Sequence, residues 1–223
     1  MATQSRNVDF YDESYKRENY FRYRRLLYRP YVSSLVSYCG LQQGATLLDV
    51  GCGQGFFSAL FRRHGLRVFG VDISEMGIRT ALHSYGHSGI TFTVGDVRLL
   101  EFPHQFDCIF VRSCSLYNTD SFSWQRDVTD GLLKHLRIGG TLIFTYNSTL
   151  SSRPSTGWRH HSIRDAQLHF CGYPNLKVFY ITKLTPLLLR TYSFSTFATR
   201  LSILLTKVTG TGGELVCVLK KAT

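Results

Sequence analysis

A short strand pattern, Thr46–Val50, runs directly into Gly51-Cys52-Gly53-Gln54-Gly55, and a helical pattern follows at once. Phe56, Phe57, Leu60 and Phe61 then recur on one helical face over Phe56–His64. Three glycines in five residues let a backbone turn tightly and approach a ligand closely. Asp72 lies 21 positions after Gly51, at the end of a second strand pattern, Arg67–Val71. A carboxylate placed there can accept hydrogen bonds from both hydroxyls of a ribose.

The alternation continues along the chain. Ser74 is a good N-cap for Ile78, Ala81, Leu82 and Tyr85, and Gly86 ends that helix. Ile90–Val94, Phe106–Val111 and Thr141–Tyr146 read as strands three to five, with a helix over much of Ser121–Leu136. Ser162 followed by Asp165 resembles a capping box opening a helix to about Phe170. Leu176–Tyr180 and Glu214–Leu219 complete the strands. Alternating strands and helices of this length predict an α/β fold, a mostly parallel sheet covered on both faces. Ligands then bind beyond the carboxyl ends of the strands.

Composition removes other classes. Hydrophobic residues make up 43% of the 223, enough for a full core. No apolar run is long enough to span a bilayer, and the first 40 residues lack an apolar signal core, so a cytoplasmic protein is expected. Six scattered cysteines form no C-x-x-C pair and no zinc spacing, which predicts reduced thiols and no metal site. The net charge of +11 is uneven, with +8 in residues 151–223. Such a region attracts anionic substrates, nucleic acid or a membrane surface, or is merely a solvated basic face.

Two cofactor classes use a glycine loop of this kind. Dinucleotide sites prefer a third glycine where this chain has Phe56. Asp49, just before the loop, would repel a pyrophosphate but suits a cationic ammonium or sulfonium. Leu47–Gly55 resembles the first motif of class I S-adenosylmethionine-dependent methyltransferases, and Val71-Asp72-Ile73-Ser74 resembles their second. Gly95-Asp96-Val97, Phe106–Val111 and Gly139–Phe144 resemble the adenine-contacting turn, the fourth strand and the turn into the fifth. The resemblance covers about residues 41–150 and implies a Rossmann-like seven-stranded sheet whose last strand is antiparallel. It divides the chain into an N-terminal lid or substrate segment, 1–40, and a methyltransferase domain, 41–223. It implies that Asp49, Gly51, Cys52, Gly53 and Gly55 hold the methionine part of S-adenosylmethionine. Asp72 would hold the ribose, Ile73 the adenine ring, and Asp96 and Val97 the adenine amino edge. Val111 and Arg112 would line the methionine side.

The acceptor side is less defined. Transfer to a hydroxyl often uses a base of near-neutral pKa, and His160 and His161 precede the Ser162 helix on the ligand side of the sheet. Two exposed loop histidines are the plainer reading. Tyr117, Asn118, Tyr146 and Trp158 are candidate substrate residues, although Tyr117 equally suits a core position. The Arg112–Asn118 segment lacks the Pro-Pro-Tyr-like and Pro-Cys motifs of enzymes that methylate bases, which lowers the nucleic-acid reading. The aromatic, basic stretch between Phe10 and Arg25 reads as a lid over the cofactor more readily than as a base-stacking surface. Pro186 opens a stretch in which Phe197, Leu201, Leu204, Leu205 and Val208 share one helical face. That face is expected against the core or the substrate pocket, with a dimer surface or peripheral membrane contact as alternatives. The overall expectation is methyl transfer to a small organic acceptor at oxygen. The alternatives are a nucleic-acid methyltransferase and an inert cofactor-binding scaffold.

Overall fold

The computed structural model describes residues 8–150 and 157–222. Seven strands form one sheet: β1 (Thr46–Val50), β2 (Arg67–Asp72), β3 (Thr91–Val94), β4 (Phe106–Arg112), β5 (Leu136–Asn147), β6 (Leu176–Thr182) and β7 (Gly213–Lys220). Their order is β3-β2-β1-β4-β5-β7-β6. The first five are mutually parallel, and β7 runs antiparallel to both of its neighbours. The sheet is the one the strand patterns and the family resemblance implied.

Side chains alternate across this sheet with the strand period of two. Leu47, Val68, Cys108, Phe110 and Ile143 enter one core, beneath α2 (Arg25–Cys39) and α3 (Phe56–Arg62). Leu48, Val71, Ile109, Leu142 and Phe144 enter the other, beneath α5 (Phe122–Lys134) and α6 (Ile163–His169). β1 is buried at every position, as expected of a central parallel strand. The Ser74 hydroxyl caps α4 (Glu75–Tyr85) by accepting from the Gly77 amide at 3.0 Å. Ser162 and Asp165 form the expected reciprocal capping box on α6.

Two features depart from the sequence pattern. The segment from Pro186 to Val208 is not one helix: α7 (Thr185–Leu189) ends at Arg190 in a left-handed conformation, and α8 (Thr196–Thr209) begins afresh from Ser195. Between them Tyr192 and Phe194 are buried beside Tyr31 of α2. The apolar face of α8 is turned only partly inward, with Leu201 and Leu205 half-buried. Ala198, Ser202 and Thr206 are the residues α8 buries, while Phe197, Leu204 and Val208 are exposed. Hydroxyl partners decided that rotation, because Thr206 bonds the Tyr180 hydroxyl at 2.9 Å and Ser202 bonds Thr185 at 2.6 Å.

Candidate active site

At the carboxyl ends of β1, β2 and β4 lies a cavity of about 420 Å³. Its floor is the glycine loop. Gly51, Gly53 and Gly55 all have positive φ (70°, 51° and 78°), which a side chain would strain. A Cβ at Gly53 would come within 2.9 Å of the Tyr15 hydroxyl, and one at Gly55 within 2.9 Å of the Phe92 ring.

Asp72 is almost fully buried in this floor. One carboxylate oxygen accepts from the Gly53 amide at 2.8 Å, the other from the Ser74 amide at 2.9 Å. Each oxygen therefore keeps a lone pair for a further donor. Burial pushes the Asp72 carboxyl up to about 6, against the pull of the Ser74, Gly53 and Ile73 amides. Asp49 is buried as well and accepts from the Ser58 hydroxyl at 2.5 Å. Burial raises it to about 7; the Ser58 bond opposes this and the Asp72 charge adds to it. Ile73, Asp96 and Val97 line the same cavity. Asp96 receives the guanidinium of Arg98, whose Nε lies 2.9 and 3.0 Å from its two oxygens, and this holds its carboxyl below the ordinary value. Arg98 in turn lies over the Trp124 ring at 5.2 Å.

The roof comes from the N-terminal segment. Tyr11 and Tyr15 of α1 (Val8–Tyr15), with Glu18, Asn19, Phe21 and Tyr23, line the cavity from above. Two side chains sew this segment to the floor. Gln54 donates to the Tyr15 and Arg17 carbonyls at 3.1 and 2.8 Å, and accepts from the Tyr20 amide at 3.0 Å. Asp12 accepts from the Ser74 hydroxyl at 2.5 Å and the Met76 amide at 3.1 Å, at the start of α4.

Arg112 ends β4 beside the cavity. Its buried guanidinium pairs with Glu214 of β7. The rings of Phe57, Tyr28, Tyr23 and Tyr31 surround it, with centroids 4.8, 5.3, 5.7 and 5.9 Å away. Ser113 follows in a left-handed conformation (φ 47°), and the turn brings Cys114 to 3.4 Å from where a Gly51 Cβ would stand.

Of the cofactor residues expected from the sequence, Asp49, Gly51, Cys52, Gly53, Asp72, Ile73, Asp96, Val97 and Arg112 line the cavity. Gly55 supports the loop from behind, and Val111 is buried in the sheet. The acceptor-side expectations fare differently. Among the described residues, none of His160, His161, Tyr117, Asn118, Tyr146 and Trp158 lines the cavity. Asn118 instead ties down the following loop, donating to the Gly157 carbonyl at 3.0 Å and accepting from the Arg159 amide at 2.6 Å. Tyr146 is bonded to His169 and Gln125, and Tyr117 packs on Phe144 at 4.3 Å. Residues 151–156 of the expected rim loop lie outside the described residues.

His161 is buried against the Tyr146 ring at 3.8 Å because its backbone extends the sheet, its amide donating to the Asn147 carbonyl at 2.8 Å. Burial first, and Arg159 second, push its imidazole down to about 3. A base needs a pKa near the working pH, so this ring is poorly suited to take a proton. His161→Ala is expected to cost about 2–4 kcal/mol of stability by opening a void, with cofactor affinity unchanged. Chemical denaturation and calorimetry check the two halves. As pH falls below the ordinary 6.5, the unfolded chain takes up the proton first, so the native state loses stability towards the folded value near 3.

A seven-stranded sheet with antiparallel β7, a glycine loop after β1 and an acidic residue ending β2 define a Rossmann-like nucleoside-cofactor protein. Residues 47–140 match the family model described as a methyltransferase domain. Over this segment the chain is similar to the class I S-adenosylmethionine-dependent methyltransferases. It is 31% identical over 155 residues to phosphoethanolamine N-methyltransferase 1 of Zea mays, covering 63% of this chain and 30% of that protein. It is 38% identical over 77 residues to the ubiquinone biosynthesis O-methyltransferase of Azoarcus sp. strain BH72, covering 32% of each. The chain thus spans a third or less of these relatives' lengths. Phosphoethanolamine N-methyltransferase 2 of Haemonchus contortus, in complex with phosphomonomethylethanolamine and S-adenosylhomocysteine, shares the fold. Its TM-score is 0.68 at 17% identity, over 97% of this chain and 60% of that one. The N-methyltransferase NodS of Bradyrhizobium japonicum gives 0.65 at 17% identity, over 97% and 98%.

Solved structures that share this fold hold S-adenosylmethionine or S-adenosylhomocysteine, and the cavity here fits that cofactor. The volume lies within the roughly 300–1,000 Å³ of small-molecule sites. Asp72 has lone pairs for ribose hydroxyls, and Gly51 and Gly53 present bare backbone to the cavity beside it.

Proposed function

We propose that the protein transfers a methyl group from S-adenosylmethionine to a small organic acceptor, at an oxygen that is already ionised. The observation that carries this reading is one cavity joining the glycine loop and Asp72 to an aromatic chamber, with no histidine among the described residues lining it. The bound cofactor supplies an electrophilic methyl group on a cationic sulfonium. Asp72 would hold the ribose, Asp49 would offset the positive charge, and Asp96 with Val97 would hold the adenine edge. Gln54 and Asp12 clamp residues 8–23 over the cavity, which supports a lid that excludes water. Holding two reactants in line supplies much of the acceleration. A carboxylate or an acidic phenol arrives deprotonated, so the missing base is no obstacle.

A second reading, transfer to nitrogen, draws on the ring faces of Tyr11, Tyr15 and Tyr23 in the chamber, which attract a cationic amine. For the compartment we favour the cytoplasm, supported by six free cysteines. The test is a panel of carboxylates, phenols, amines and RNA, read by S-adenosylhomocysteine release. Turnover of a carboxylate or phenol is expected. Amine-only turnover moves the acceptor to nitrogen, RNA-only turnover replaces the small-molecule reading, and cofactor binding with no turnover on any member leaves an inert scaffold.

A further inference from the structure

The exposed side of α7 and α8 is both apolar and cationic. Leu187 and Leu188 of α7 are 75% and 60% exposed. Phe197, Leu204 and Val208 of α8 are 67%, 57% and 75% exposed. Single exposed apolar side chains are ordinary, but five within two adjoining helices form a patch that calls for a partner. The two helices are joined side by side through the Thr185–Ser202 bond.

The charges around this patch have one sign. Lys183, Arg190, Arg200 and Lys207 are all exposed, and the sequence holds no acidic residue between Asp165 and Glu214. We propose that α7 and α8 form a docking surface for an anionic phospholipid membrane. The leucines, Phe197 and Val208 enter the boundary between headgroups and acyl chains, and the four cations meet lipid phosphates. The helices lie in the plane of the interface, because no helix among the described residues is long and apolar enough to cross a membrane. A second copy fits the patch less well, since pairing the face with itself would set cations against cations. The inner side of α8 explains how the face came to point outward: Ala198, Ser202 and Thr206 are buried there, Thr206 bonded to Tyr180 of β6 and Ser202 to Thr185 of α7. The surface is separate from the cavity and does not depend on the methyl acceptor.

Co-sedimentation with phosphatidylcholine vesicles, with and without phosphatidylglycerol, tests this. Binding is expected to the anionic vesicles, weakening as salt rises. The pair Arg200→Gln and Lys207→Gln should lower that binding roughly 30-fold. The pair Leu204→Ser and Val208→Ser should lower it at least about tenfold, with circular dichroism and cofactor affinity unchanged because both side chains face solvent. Equal binding to neutral and anionic vesicles, or no binding to either, overturns the proposal. Self-association by sedimentation velocity that Leu204→Ser abolishes, without vesicle binding, would give the face to a second copy and overturn it equally.

Discussion

Replacing Asp72 by alanine is expected to weaken S-adenosylhomocysteine binding by about 100-fold or more. Hydrogen bonds to a charged group contribute about 1.5–3 kcal/mol each, and Asp72 has a free lone pair on each oxygen for the two ribose hydroxyls. The same change orphans the Gly53 amide, so the glycine loop loses the anchor that shapes it. Asp72→Asn keeps one acceptor oxygen and should fall between the wild type and alanine. Titration calorimetry separates the three.

A pH dependence accompanies this binding. Asp49 near 7 and Asp72 near 6 both stand above the ordinary 3.8 because they are buried. Between those limits the native protein holds more protons than the unfolded chain. The contribution of these two groups to stability is therefore complete below the ordinary value and declines as pH rises through 6 and 7. In the proposed roles the cofactor reverses the balance, since ribose hydroxyls would need an acceptor at Asp72 and a sulfonium would favour ionised Asp49. Binding should release protons, and affinity should rise from about pH 5 to about pH 8. Calorimetry in buffers of different ionisation heat reads the release directly. An affinity that stays flat over that interval would show that neither carboxyl changes state on binding.

Substituting Glu214 by glutamine is expected to cost about 3–5 kcal/mol, a drop of roughly 10 °C in Tm for a chain of this size. Glu214 partners a guanidinium buried among Phe57, Tyr23, Tyr28 and Tyr31, and its loss leaves that charge uncompensated. The ring faces around Arg112 soften the penalty without replacing a carboxylate. The pair joins the end of β4 to the start of β7 across β5, so its loss should also loosen the cavity wall. Adding Arg112→Met to Glu214→Gln should recover most of the stability, because removing both charges also removes the desolvation cost. A double-mutant cycle in urea measures the coupling. If the double variant were as unstable as the single one, Arg112 would matter for its packing and not for its charge.

The sequence held the candidate cofactor half of the site because that half is local. Asp49 lies near the end of β1, the three glycines and the Ser74 cap lie on short connections whose geometry follows from strand, turn and helix chemistry, and Asp72 ends the neighbouring strand. β1 and β2 are paired in register from Thr46–Arg67 to Val50–Val71, so proximity in the fold follows from the strand patterns. The roof was legible only as an aromatic segment. Nothing in the spacing of Tyr11, Tyr15 and Tyr23 shows that Gln54 and Asp12 would fasten them over the glycine loop.

The acceptor side and the outer helices were decided by tertiary structure. His160 and His161 follow the correct strand on the correct edge, but an added backbone pairing with β5 pulls His161 under cover. Glu214 meets Arg112 across 102 positions of sequence, and a single charge carries no mark of so distant a partner. In α8 the helical period marked Phe197, Leu201, Leu204, Leu205 and Val208 for the core, yet Ala198, Ser202 and Thr206 took that side, leaving Leu201 and Leu205 half-buried and the other three exposed. Periodicity reports which residues share a face. Which face turns inward depends on the surface it meets, and here β6 offered a tyrosine hydroxyl and a close approach that small, hydroxylated residues satisfy.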